Sequence, residues 1–177
     1  VFYSVLARSG YFDVNELNTF RLINSRLQGH PTTHEGLPGV RIASGSLGQG
    51  LSVAIGAALS KKLNNDNNLV FCLMGDGELQ EGQNWEAIMY ASSNKVDNII
   101  ATVDLNGQQI DGSTEDVLNL GNIKDKFNAF GWDVIECADG NNIIEIKDKL
   151  QLAKISCYKG KPICIILKIL SGKSIAH

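Results

Sequence analysis

The sequence predicts an α/β protein built on a doubly wound, mainly parallel sheet with helices on both faces, and three observations predict it. Short, strongly apolar runs at 69–74, 98–103 and 162–168 have the length of strands buried on both sides. Segments with helical spacing alternate with such runs, the order that builds strand–helix–strand crossovers. Turns rich in Gly, Asp and Asn punctuate the alternation.

Taken in order, Val1-Phe2-Tyr3-Ser4-Val5-Leu6 begins an apolar-faced helix that Gly10 ends. A second amphipathic helix is expected from Val14, Leu17, Phe20 (or Arg21) and Asn24, broken at Gly29. Residues 29–50 read as loop: they hold two of the three prolines, six glycines and two of the three histidines. Loops on a rigid scaffold are where binding residues gather. Residues 50–63 are rich in Ala, Leu, Ile and Val with Lys61 and Lys62 at the far end, which predicts a largely buried helix whose cations face the negative end of its dipole. After a polar turn at 64–68 come a strand at 69–74, a helix at 81–93 and a strand at 98–103. A helix at 123–130, a strand at 132–137, a helix at 142–156 and a strand at 162–168 repeat the pattern.

At 177 residues the chain has the length of one compact domain, so residues 1–177 are expected to form a single domain. A helix that begins at once, without a starting methionine, suggests a chain that begins mid-protein. Hydrophobic residues at 44%, charged residues at 20% and a net charge of −3 give no electrostatic reason to expect nucleic acid or an anionic membrane as partner. The longest apolar runs are far shorter than the roughly 20 residues of a membrane-spanning helix. Cys72, Cys137, Cys157 and Cys164 form no CxxC pair, so neither a zinc site nor a disulfide framework is suggested, and a reducing cytoplasm fits best.

The candidate chemistry lies in Gly75-Asp76-Gly77-Glu78. A carboxylate directly after a buried strand, between two glycines, stands where backbone can approach a ligand and amide N–H groups can face an anion. Thirty residues on, Asp104-Leu105-Asn106-Gly107 takes the matching place after the next strand and offers a neutral amide oxygen. Mg²⁺ takes hard oxygen ligands, commonly one or two protein carboxyls together with phosphate and water. Asp76, Asn106 and a nearby carbonyl would supply such a set. From spacing alone, plain turn residues explain the two positions equally well, since Asp-Gly and Asn-Gly are common turn pairs. Two rival phosphate motifs fail: Gly45-Ser46-Leu47-Gly48-Gln49-Gly50 has the wrong glycine order for a dinucleotide fingerprint, and Gly172-Lys173-Ser174 lacks the upstream glycine of a P-loop.

Asp76 between its glycines, followed by Asn106, resembles the GDG…N signature of thiamine-diphosphate enzymes. The surrounding words resemble transketolases: GHP at 29–31, SGSLGQGLS at 44–52, GDGELQEGQNWEA at 75–87 and DLNGQQIDG at 104–112, with FNAFGWDVIE at 127–136 and the closing GKPICIILKILSGKS. The resemblance covers nearly the whole chain, and a 1-deoxyxylulose-phosphate synthase usually differs in the SGSLGQG loop and after GDG. It implies that Asp76 and Asn106 bind Mg²⁺ with the Gln108 carbonyl. It implies that Gly75, Gly77 and Glu78 surround the diphosphate, with N–H donors from Gly77 and Glu78. Gly45, Leu47 and Ile110 would lie against the rings of thiamine diphosphate, and His30 would hydrogen-bond the sugar substrate or the two-carbon adduct. His34 reads as loop surface, and at His177 nothing is argued. Glu81 and Glu86 match acidic positions at the family's dimer interface, with solvated helix charges as the plain alternative.

The resemblance also implies ketol transfer between sugar phosphates, shared with a pyrimidine-binding C-terminal section in a dimer or heterotetramer. Alone, the chain is expected to have no ketol-transfer activity. Another thiamine-diphosphate enzyme with a different ketose or keto acid, or a non-catalytic relative, stays open at this point.

Overall fold

The computed structural model of the chain describes residues 1–173, so His177 lies outside the described residues. The chain divides into two compact units, Val1–Leu47 and Gly48–His177.

In the first unit, helix α1 (Phe2–Arg8) ends at Gly10, whose φ of +82° suits glycine. The second helix is not the amphipathic α-helix that the spacing predicts. Only a 3₁₀ segment forms, Val14–Thr19, capped by Asp13, whose side chain accepts the Asn15 N–H at 2.8 Å. Beyond it Arg21 and Asn24 adopt φ of +62° and +64°, values that stop any α-helix. The Arg21 N–H bonds the Leu27 carbonyl instead, and Arg26 grips Glu16 through Nε and Nη2 at 2.9 and 2.8 Å. That grip holds the Glu16 carboxyl below its ordinary range. Residues 29–47 carry no regular element, as expected.

The second unit holds the sheet. Helix α2 (Gly50–Leu63) leads to β1 (Val70–Gly75), a 3₁₀ turn at Gly77–Gln80, α3 (Gly82–Ser93) and β2 (Ile99–Leu105). A small ribbon, β3 (Gln108–Gln109) and β4 (Gly112–Ser113), and a short α4 (Thr114–Leu118) follow. Then come α5 (Ile123–Ala129), β5 (Asp133–Cys137), α6 (Ile143–Ser156) and β6 (Ile163–Lys168). The four main strands are parallel in the order β1-β2-β6-β5. Helices α2, α3 and α5 pack on one face around Met74, Ile88, Val103, Phe127 and Trp132. Helix α6 covers the other face over Ile100, Ile163 and Ile165. The doubly wound reading therefore stands: the chain runs out along one face and returns over the other.

Caps explain the helix starts. Asn142 accepts N–H groups of Ile144 and Glu145, and Asn122 and Ser113 do the same for α5 and α4. Buried Asn98 donates to the Ala58 carbonyl at 2.8 Å and pins α2 to the start of β2. Helix α2 differs from expectation in burial. Only Leu51, Ile55 and Ala58 are buried, while Val53 and Gly56 are exposed, because one helix face suffices to cover β1 and α3. All four cysteines are free and buried; burial pushes the Cys157 thiol up to about 11, ahead of the effect of Asp97's charge. Among the described residues no helix is long and apolar enough to cross a membrane.

Trp132 anchors the larger core. It is 2% exposed, meets Phe127 edge-on at 5.4 Å and donates its indole N–H to the Ile88 carbonyl at 2.9 Å. Trp132→Ala is expected to lower unfolding free energy by about 3–5 kcal/mol, read from the urea midpoint at unchanged slope; a loss under about 1 kcal/mol would show that the cluster is not the core.

Candidate active site

Parallel pairing of β1 with β2 sets Gly75 opposite Asp104, so the residues after each strand emerge side by side at the carboxyl end of the sheet. Asp76 sits there and is 1% exposed. Its Oδ1 accepts the Gly77 N–H at 2.9 Å, and its Oδ2 accepts the Gly107 N–H at 2.7 Å with the Thr114 hydroxyl at 3.5 Å. Its own N–H donates to the Asp104 carbonyl at 3.1 Å. Among the described residues none of the ion pairs includes Asp76. A buried carboxylate that has main-chain donors but no cation retains lone pairs for one.

Asn106 forms a closed turn: its Oδ1 accepts the Gln108 N–H at 2.8 Å and its Nδ2 donates to Asp104 Oδ1 at 3.1 Å. The ribbon then folds back onto the Asp76 turn. A Cβ on Gly77 would lie 3.1 Å from the Gln109 Cβ and 3.8 Å from the Gln108 carbonyl oxygen, so glycine is what permits this approach. Gln80 closes it from the other side, donating to Gln109 Oε1 at 2.6 Å and to the Leu118 carbonyl at 2.9 Å. One carboxylate, one amide oxygen and one main-chain carbonyl thus belong to turns that touch. Such a set could hold a hard cation such as Mg²⁺; among the described residues no three His, Cys, Asp or Glu gather to do so.

Glu78 is the second residue of the Gly77–Gln80 3₁₀ turn, whose main chain is fixed by Asn84 and Trp85, which donate to the carbonyls of Glu78 and Leu79 at 2.7 and 2.8 Å. Cys72, below it on β1, has its thiol pushed up to about 11, first by burial and then by the Glu78 charge, which leaves it protonated at neutral pH. Ile110, at the tip of the ribbon, is fully exposed. Glu81 and Glu86 are exposed, and Glu86 lines a groove between α2 and α3 together with Ile55, Gly56, Leu59 and Tyr90.

The remaining expected residues belong to the first unit. His30, His34, Gly45 and Leu47 are all exposed. Gly45, at φ +132°, lies so near His30 that a Cβ there would stand 2.8 Å from the imidazole Cγ. The Ser44 N–H bonds the Pro31 carbonyl at 3.0 Å and holds the two loop segments together.

Three bracing roles have no signal in the sequence. Thr114 and Asp104 brace the Asp76 and Asn106 turns, and the Glu78 side chain binds main chain on both sides of its own turn. Asp104 was at least visible as a carboxylate two residues before Asn106; Thr114 reads only as a helix start.

Residues 1–176 match the family described as "Transketolase, thiamine diphosphate binding domain". The chain is 39% identical over 97% of its length to a 6-deoxy-6-sulfo-D-fructose transketolase subunit of Clostridium sp. (strain MSTE9), and it covers 61% of that protein. It is 39% identical over 99% of its length to one of the subunits of the apulose-4-phosphate transketolase of Actinobacillus succinogenes, covering 62% of that protein. The chain thus spans about three fifths of these curated relatives. A transketolase from Pichia stipitis, crystallised with xylulose 5-phosphate, superimposes on 94% of the chain with a TM-score of 0.86 at 31% identity, and 26% of that protein is covered. From the match over its whole described length, the chain belongs to the transketolase family, as a thiamine diphosphate binding domain.

Proposed function

We propose that residues 1–177 act as one diphosphate-binding domain of a transketolase, which moves a two-carbon ketol unit from a ketose phosphate to an aldose phosphate. The observation that carries this reading is the buried Asp76 carboxylate, without a cationic partner among the described residues, bonded to the turn that also holds Asn106 and Gln108. In this reading Asp76 Oδ, Asn106 Oδ1 and the Gln108 carbonyl hold Mg²⁺, and the metal holds the diphosphate.

Thiamine diphosphate, when bound, supplies a nucleophilic carbon and an electron-accepting ring. The protein's part is binding and orientation. Gly75, Gly77 and Glu78 bring main chain close to the diphosphate, and Ile110, Gly45 and Leu47 offer apolar or open surface to the rings. His30, held by its loop, hydrogen-bonds the sugar. A complementary pyrimidine-binding section completes the enzyme in a dimer or heterotetramer, with the α2–α3 groove and Glu86 at the contact. A cytoplasmic setting fits the four free thiols.

The names of these two relatives favour a second specificity: a donor such as apulose 4-phosphate or 6-deoxy-6-sulfofructose in place of xylulose 5-phosphate. The test is to assemble the full-length protein with its pyrimidine-binding section and offer all three donors with ribose 5-phosphate or glyceraldehyde 3-phosphate as acceptor. Transfer that needs both Mg²⁺ and thiamine diphosphate is the expected result, and the preferred donor assigns the substrate. Cofactor binding without transfer from any donor would overturn the substrate assignment and leave a different ketose or keto acid, or a non-catalytic relative; activity of the isolated chain would overturn the need for a second section.

A further inference from the structure

The Glu78 carboxylate is in an unusual position. One oxygen accepts the Gly48 N–H at 2.9 Å and the other accepts the Gly75 N–H at 3.2 Å. Among the described residues no lysine, arginine or histidine forms an ion pair with it. The charge is therefore directed at two main-chain donors thirty and three residues away, and bonds of this charge-assisted kind are about twice as strong as neutral ones.

Both of its partners matter to the site. Gly75 is the peptide directly before Asp76, and Gly48 stands in the turn that leads into α2. Gly48 has φ +83°, and a Cβ there would lie 2.7 Å from the Glu81 Cβ and 2.8 Å from Gln83 Nε2, so the turn is pressed against the segment that follows Glu78. The Glu78 main chain is itself fixed, because its carbonyl is held by Asn84 Nδ2 at 2.7 Å and by the Glu81 N–H at 3.1 Å.

We propose that the Glu78 side chain is a positioning residue for the cofactor: it ties the turn before α2 to the end of β1 and so fixes the Asp76 turn before the diphosphate arrives. This deepens the reading above and rests on it. The backbone of Glu78 faces the cofactor in that reading; the side chain acts through Gly48 and Gly75.

The variant that tests it is Glu78→Gln, in the full-length protein assembled with its pyrimidine-binding section. The amide oxygen can accept one of the two N–H groups, but the amide nitrogen, itself a donor, cannot accept the other. Calorimetric titration with thiamine diphosphate at fixed Mg²⁺ should show affinity lowered roughly tenfold. The unfolding temperature of the cofactor-free protein should stay within about 3 °C of the parent, whereas the rise on adding cofactor should shrink. Glu78→Ala, which loses both bonds, should bind more weakly still. Unchanged affinity in Glu78→Gln would overturn the proposal, as would a fall in cofactor-free stability with affinity intact, since that outcome describes a structural strut alone. The two readings fail differently: a parent protein that binds no thiamine diphosphate refutes the functional reading and this one with it, whereas a parent that binds and a variant that binds equally refutes only the role of Glu78.

Discussion

Asp76→Ala should weaken thiamine diphosphate binding by at least about a hundredfold, because loss of a partner that only orients a metal ligand already costs 10–100-fold in many sites. Two losses combine. The change removes the only carboxylate in the donor set proposed for Mg²⁺, leaving neutral oxygens from Asn106 and Gln108. It also strips the Gly77 and Gly107 N–H groups of the acceptor they share at 2.9 and 2.7 Å. Leaving buried donors unpaired costs about 1–3 kcal/mol each, so the turn and the ribbon it braces should loosen as well. Asp76→Asn separates the two effects: the amide keeps an oxygen in the turn but no charge for the metal. Calorimetry on both variants should therefore show a large affinity loss in each, with the greater fall in unfolding temperature in Asp76→Ala. Affinity retained in Asp76→Asn would place the metal elsewhere.

His30→Ala should lower kcat/KM for the sugar by roughly a hundredfold, the range in which a single positioned hydrogen-bonding group contributes to a reaction, with cofactor affinity close to the parent. The loop geometry supplies a second route to the same defect. Gly45 lies at a φ that side chains rarely adopt, and a Cβ there would meet the His30 ring at 2.8 Å. Gly45→Ala should thus push the imidazole out of place and reproduce the loss of kcat/KM without removing the ring. Steady-state kinetics with donor varied at saturating thiamine diphosphate checks both variants. Full activity in His30→Ala would remove the histidine from the reaction.

The sheet was legible because its strands announce themselves. Runs such as Ile99–Leu105 and Ile163–Lys168 are apolar on both faces, and each is followed by glycine, asparagine or a lysine-bearing turn. Strand boundaries accordingly differ from expectation by only one or two residues. The adjacency of Asp76 and Asn106 was legible for the same reason, since both follow strands that pair in parallel.

What stayed hidden depends on contacts distant in sequence or on main-chain geometry. The helical spacing of Val14, Leu17 and Asn24 was real, but positive φ at Arg21 and Asn24 and the pull of Leu27 on the Arg21 N–H decided against a helix. The two-residue strands of the β3–β4 ribbon are too short to carry any pattern. Thr114 reaches Asp76 across 38 residues, and Glu78 reaches Gly48 across 30, distances at which a single sequence gives no signal. Apolar composition foretold that α2 would be buried, yet Ser52, Val53 and Gly56 are open; composition reports what a surface can bury, not which partner buries it.

In the proposed reading a metal at Asp76 holds the cofactor. The most direct measurement is calorimetric titration of thiamine diphosphate into the assembled full-length protein, with Mg²⁺ present and again with the divalent cations chelated. The predicted result is tight binding that chelation abolishes and that added Mg²⁺ restores, with Asp76→Ala behaving in Mg²⁺ as the parent does under chelation. Binding of equal strength with and without the metal would show that no metal at Asp76 holds the cofactor.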